Sequence, residues 1–482
     1  MTKLAATAAL LCVAVTGCSG SPNKDRVATP TLTVTPTPTP SPVAGSSPLG
    51  AKWDWPRAGL YQSYLTQVTG TRTFYEMVWC DQQAAAGKPV DWTKTDQIVQ
   101  QSNALGITMM LKIRVGRCWA TGGTAQFTRG NKNKTESAMP KDIGQYSAFV
   151  ASVVQRYSAM GVHEYAIENE INSRSYWAGS PQDYRTLVTA ASKAIHQGDP
   201  KAEVVDAGMS STTYGYGIAQ SLLTAGKGAE AVQAYLKYYQ RRIGTRGDQL
   251  PAVSSPDQLR GVMSSDQGKR NLAYLSLMTA LATEKVVDVR QVHFYEPWSN
   301  VPALLAYLKA NTPATTPIEA WEVGQFWKGS DAEDTERSNE IVKTMTLLIG
   351  GGLRAAIWLP LAFNPGGRNG DEPRYGLLNA DGTERVSGRQ VAAMVTASRD
   401  ATAVSVATHG LTGVAFDHGD SADLFVWASG SSATVTLDPG DAVGNVGAQL
   451  TAKTAKTLVP VGAVPLEIQV KTSLETFLGA QS

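Results

Sequence analysis

The chain is poor in the residues that build metal and redox centres. It has five histidines and four cysteines in 482 residues. The histidines are scattered, without a His-Glu-x-x-His or Cys-x-x-Cys arrangement, which argues against a catalytic metal. Also missing are a Gly-x-Ser-x-Gly elbow and a Gly-x-x-x-x-Gly-Lys phosphate loop, so neither an esterase nor a nucleotide enzyme is indicated, and no cofactor is implied. Charge is scarce: 17% of residues are charged and the net charge is +2, too little for an electrostatic grip on nucleic acid. The hydrophobic fraction of 43% excludes a mainly disordered chain and supports a large core in two or three domains.

No apolar run near the N-terminus is long enough for an ordinary membrane span. Lys3 precedes an uncharged apolar stretch from Leu4 to Val15, which suits the core of an export signal over 1–17. The following Val15-Thr16-Gly17-Cys18 resembles a bacterial lipobox, and that resemblance makes Cys18 a lipid-bearing first mature residue and the membrane a partner through its anchor. The expected location is therefore extracytoplasmic and lipid-anchored. A soluble secreted protein with an incidental Cys18 is the alternative. Residues 18–50 are polar and then rich in Thr-Pro, as in Thr35-Pro36-Thr37-Pro38-Thr39-Pro40, which favours an extended tether reaching about 100 Å. Export leaves Cys80 and Cys118 either to form a disulfide or to stay as two buried thiols.

Over 51–400, short apolar segments alternate with longer segments of helical period. Tyr146, Phe149, Val150, Val153, Val154, Tyr157 and Met160 share one helical face, which Gly161 ends before the strand Glu164 to Ile167. Ser180, Pro181 and Asp183 open another helix, and Gly198 and Pro200 close it before a strand from Ala202 to Ala207. Further strands are expected at Thr73–Val78, Thr108–Ile113, Val289–Phe294, Ile318–Trp321 and Ala355–Leu359. About 350 residues of such units predict an α/β fold, a (β/α)8 TIM barrel with insertions, in preference to a doubly wound sheet. Tyr214 to Glu284 reads as an elaborated crossover. The short alternating runs of 401–482 predict a small β-sandwich that caps the barrel.

Barrel chemistry sits at the C-terminal strand ends. One strand ends in Ile167-Glu168-Asn169-Glu170, and another runs Ile318-Glu319-Ala320-Trp321-Glu322. Two carboxylates facing one another are what glycoside hydrolysis needs, one to protonate the leaving oxygen and one to attack or to activate water. Ion pairing at a barrel rim is the plain alternative. Trp79, Trp119, Trp177, Trp298, Trp327 and Trp358 fall at or just past strand ends, where rings can stack on sugar faces. Lys112, Arg114 and Arg117 could meet hydroxyls or a charged sugar, or serve as rim charges.

These motifs resemble those of clan A retaining glycoside hydrolases, nearest to family 39, over most of the barrel. The resemblance implies that Glu170 is the acid/base, that Asn169 bonds the sugar 2-hydroxyl, and that Glu322, in the Pro317 to Gly324 segment, is the nucleophile. It further implies that Tyr295, in His293-Phe294-Tyr295, holds that nucleophile, that Trp358 floors the subsite, and that Trp177 and Trp298 line the substrate site. The expected activity is cleavage of a polysaccharide or oligosaccharide through a covalent glycosyl-enzyme, with no protein partner implied. A non-catalytic glycan-binding lipoprotein, or a transglycosylase using the same residues, stands as the alternative. Glu168 replaces the family's usual Trp and Ile171 its usual Pro. On an extended strand Glu168 would share a face with Glu170 and could tune or replace it.

Overall fold

The computed structural model describes residues 45–53, 55–126, 128–129, 134–239, 250–325, 334–362 and 376–481. Cys18, the Thr-Pro stretch and Trp327 lie outside the described residues. No helix among the described residues is long and apolar enough to cross a membrane.

Eight parallel strands form the barrel: β1 (Leu49–Ala51), β2 (Arg72–Val78), β3 (Thr108–Arg114), β4 (Glu164–Ile167), β5 (Glu203–Val205), β6 (Arg290–Phe294), β7 (Ile318–Val323) and β8 (Ala355–Trp358). They neighbour one another in chain order, β1 pairs with β8, and a parallel bridge between Val205 and Val289 links β5 to β6. Strand β1 begins inside the stretch assigned to the tether. Its Leu-Gly-Ala has little strand preference of its own and is extended by pairing with β8 and β2. A Cβ on Gly50 would lie 1.8 Å from the Arg72 carbonyl oxygen, so only glycine admits this approach.

The flanking helices follow their punctuation. Asp142 accepts from the N–H groups of Gly144 and Gln145 to open Ile143–Tyr157, whose face from Tyr146 to Tyr157 is buried. Met160 falls in a separate 3-10 turn, and Gly161 ends it in the left-handed conformation at φ 85°. Ser180 and Asp183 form a reciprocal capping box on Pro181–Gly198. Among the described residues, the crossover between β5 and β6 holds the α-helices Ser211–Thr224, Gly228–Tyr238, Pro256–Ser264 and Asp266–Thr283.

Phe74, Met110, Ala166, Val205, Val289, Trp321, Ile357 and Leu359 fill the barrel lumen. Below them Arg72 and Arg354 pair with Glu164, Glu203 and Glu319 at the N-terminal strand ends. Glu319 is thus engaged at the barrel base, at the opposite end of β7 from Glu322. A disulfide joins Cys80, after β2, to Cys118, after β3.

The C-terminal unit comprises β9 (Thr402–Thr408), β10 (Leu411–Asp417), β11 (Ala422–Ala428), β12 (Ala433–Leu437), β13 (Ala442–Asn445), β14 (Thr451–Ala452), β15 (Thr457–Val461) and β16 (Leu466–Val470). One sheet runs β9-β10-β11-β16-β13-β14, and β12 pairs with β15 as a second. Alternation divides the large sheet. Ala415, Leu424, Val426 and Ile468 face the sandwich core, while Val414, Phe416 and Phe425 join the barrel's hydrophobic cluster against helices Asp334–Gly350 and Val386–Ser398. Burying each of these three side chains contributes roughly 1.5–3 kcal/mol, which fastens the sandwich to the barrel.

Candidate active site

Strand β4 stops at Ile167 and its chain does not stay extended. Glu168 and Glu170 both have left-handed backbones, at φ 69° and 42°, a conformation that costs of order 1–3 kcal/mol for each such residue. Glu168 N–H is held by the Ile113 carbonyl and Glu170 N–H by the Ala207 carbonyl. The twist separates the two carboxylates. Glu168, fully buried, accepts from Val115 N–H at 2.7 Å and from Arg114 Nε at 3.3 Å. Burial pushes its carboxyl up, against the pull of Arg114 and the Val115 amide. The shared face expected of an extended strand is therefore absent, and Glu168 braces the end of β3 instead of supporting Glu170.

Glu170 turns toward β6 and β7. His293 and Glu322 are register partners on those strands, with a pairing irregularity between Gln291 and His293. His293 Nδ1 lies 3.0 Å from Glu170 Oε1 and 3.7 Å from Glu322 Oε2. Tyr295 donates its hydroxyl to Glu322 Oε2 at 2.9 Å. Lys112 Nζ lies 3.2 Å from Glu322 Oε1 and donates to Asn169 Oδ1. Glu170, His293 and Glu322 each bring one oxygen or nitrogen within 4.8 Å of the others. Such a set could in principle touch a cation, yet hydrogen bonds within the cluster already engage these groups. Both carboxylates stay slightly open, with side-chain exposures of 14% and 12%.

Of the expected site residues, Asn169, Glu170, His293, Tyr295 and Glu322 are brought together. Trp177 and Trp298 instead pack on other parts of the protein, and Trp358 is the register partner of Val323, the residue after Glu322. Trp177 is fully buried against Tyr184, over Gly179, where a Cβ would come within 2.7 Å of the indole. Trp298 meets Trp427 of the sandwich edge-on, and Lys343 lies over both rings, so it belongs to the joint between barrel and sandwich. Trp79 packs on Phe149, Tyr146 and Trp119. Trp358 ends β8 as a fully buried core side chain that offers no exposed face. A large aromatic just past a strand end fills the layer between strand and helix as readily as it lines a cleft. Arg114 is engaged by Glu76, Glu168 and Ser137, and Arg117 by Glu136.

Two contributions go beyond the sequence reading. Lys112, expected to meet hydroxyls or a charged sugar or to serve as a rim charge, points inward like the lumen residue Met110 two positions before it and reaches Glu322. Gln291 shares the face of His293 on β6 and bonds its ring at 2.9 Å. Past β7, buried Gln325 has no hydrogen-bond partner for either amide atom among the described residues.

No family model matches the sequence, and no curated protein is similar to it. Solved structures do match in fold. A family 39 glycoside hydrolase from Bacteroides cellulosilyticus is 15% identical with a TM-score of 0.59, over 90% of this chain and 83% of that one. A family 39 β-xylosidase from Caulobacter crescentus is 14% identical with a TM-score of 0.56, over 89% and 98%. A glucosidase from Croceicoccus marinus is 11% identical with a TM-score of 0.54, over 89% and 97%. The chain thus shares the barrel-and-sandwich fold of these enzymes.

Proposed function

We propose that the chain is a retaining glycoside hydrolase that cleaves a polysaccharide or oligosaccharide by double displacement. The observation that carries this reading is the pair Glu170 and Glu322 at the C-terminal barrel mouth, with one carboxylate oxygen of each within 4.8 Å of the other, short of the spacing that leaves room for an attacking water. Retaining enzymes hold their carboxyls about 5–5.5 Å apart, whereas inverting ones leave about 6.5–9.5 Å for a water. The fold shared with glycoside hydrolases agrees with it.

In this mechanism Glu322 attacks the anomeric carbon as the glycosidic C–O bond breaks, and Glu170 gives its proton to the departing oxygen. Water then attacks the same carbon, returns a proton to Glu170 and releases Glu322. Tyr295 and Lys112 both donate to Glu322, which suits a carboxylate that acts as an anion. Because Lys112 occupies Asn169 Oδ1, the amide N–H groups of Asn169 remain for the sugar 2-hydroxyl. We also propose export and lipid attachment at Cys18, placing the enzyme on the outer face of a membrane.

The test incubates the protein lacking residues 1–44 with envelope and plant polysaccharides and follows released sugars by mass spectrometry, beside Glu170→Gln and Glu322→Gln. Release by the parent chain and a loss of at least a hundredfold in each variant is expected. Binding without release would favour a glycan-binding protein, and transfer to a sugar acceptor in place of water a transglycosylase.

A further inference from the structure

Gln291 lies one step deeper in the barrel than His293 on the same face of β6, and it is 1% exposed. Its Nε2 lies 2.8 Å from the main-chain oxygen of Asp206. A carbonyl oxygen can only accept, so the NH2 end of the amide must face it. That leaves Oε1 toward His293 Nε2 at 2.9 Å, and this ring nitrogen must therefore carry a hydrogen.

The arrangement is anchored from beneath and from the side. Asp206 accepts from Gly208 N–H, from Gln291 N–H and from Arg290 Nε, which fixes the peptide that Gln291 reads. Tyr214, from the helix after β5, donates to the Gln291 carbonyl at 3.0 Å. Gly208, at φ 60°, passes so close that a Cβ would lie 2.6 Å from His293 Nε2 and 3.0 Å from Gln291 Oε1. A glycine is thus required for ring and amide to meet.

With its hydrogen on Nε2, a neutral imidazole presents a bare Nδ1. The ionisable groups on that side are Glu170 from the end of β4, at 3.0 Å, and Glu322 from β7, at 3.7 Å, the latter already held by Tyr295 and Lys112. In that neutral tautomer the bare nitrogen can only accept, and Glu170 Oε1 is then the donor. Resting on the glycosidase reading above, we propose that Gln291 is a positioning residue: by fixing the tautomer of His293 it keeps on Glu170 the proton that passes to the leaving oxygen. The proton moves from Glu170 to that oxygen as the C–O bond breaks and is replaced from water as its oxygen bonds the anomeric carbon. His293 keeps its own proton throughout.

The experiment reads the tautomer directly by nitrogen-15 NMR of the imidazoles in the folded protein at pH 7, with His293→Asn used to assign the signal among five histidines. The expected result is neutral His293 protonated at Nε2, a mixed or Nδ1-protonated ring in Gln291→Met, and return of the original signal in Gln291→Glu, whose neutral carboxyl donates to Asp206 and accepts from the ring. A wild-type ring protonated at Nδ1, or a signal unchanged in Gln291→Met, would overturn the proposal. The wild-type spectrum decides even if that variant does not fold, and it needs no substrate, so its failure is distinct from failure of the glycosidase reading. On whichever glycan is cleaved in the panel, the alkaline limb of the kcat/KM profile of Gln291→Met should move to lower pH with at least tenfold loss at pH 7. Equal loss at every pH would mark a merely structural role.

Discussion

Three carboxylates share two guanidinium groups at the barrel base, and Glu164 is the one whose charge is disfavoured most, by burial and by Glu319. Glu319 is bound by Arg72 and Arg354 at 3.2 and 2.6 Å, and Glu203 by Arg354 at 2.6 Å. Glu164 has Arg72 at 2.8 Å on one oxygen, while the other lies 3.6 Å from Arg354 and has no hydrogen-bond partner among the described residues. Burial, and then the neighbouring Glu319, push the Glu164 carboxyl up to about 7 from its ordinary 4.5. Against its own burial, Glu319 is held below its usual range by Arg72 and Arg354. The native state therefore binds the Glu164 proton more tightly than the unfolded chain does. The stability this gives is complete below the unfolded value and is lost as pH rises through 7. The gain from Glu319 has the opposite sign and is already complete in mildly acidic solution. Between about pH 5.5 and 8.5 linkage then predicts a loss of about 2 kcal/mol. Glu164→Gln keeps an acceptor for Arg72 and removes the titration. Urea unfolding at the two pH values should show the loss in the parent chain and not in the variant. The same decline in both proteins would refute the reasoning.

Two further outcomes are expected. Tyr295→Phe removes one hydrogen bond to a carboxylate, worth roughly 1.5–3 kcal/mol, so kcat measured on folded protein should fall about ten- to a hundredfold. Cys80→Ser with Cys118→Ser opens a linkage spanning 38 residues, which on chain-entropy grounds costs up to about 4 kcal/mol, measurable by urea unfolding beside the oxidised parent protein.

Much of the fold was legible because burial on both faces writes strands as continuous apolar runs, and because capping needs particular side chains. Ser180 with Asp183, and Gly161 at φ 85°, fall where the sequence reading put them. Strand β1 was not legible, since Leu49-Gly50-Ala51 becomes extended only through its neighbours. Trp177 and Trp298 were not legible because composition and position cannot tell a ring packed against protein from one facing a cleft. Trp177 and Trp298 found protein partners.

The sequence alone determined that two glutamates would stand at the ends of two barrel strands, because chain order and strand polarity dictate which residues reach the mouth. Tertiary structure decided which atoms meet there. Left-handed backbones at Glu168 and Glu170 send one carboxylate to Arg114 and the other to His293. Barrel curvature brings Lys112, from β3, to Glu322 on β7. Hydrogen-bond direction at Gln291, set by a backbone carbonyl on a neighbouring strand, depends on contacts between residues 85 positions apart, and no local pattern in the chain encodes such a contact.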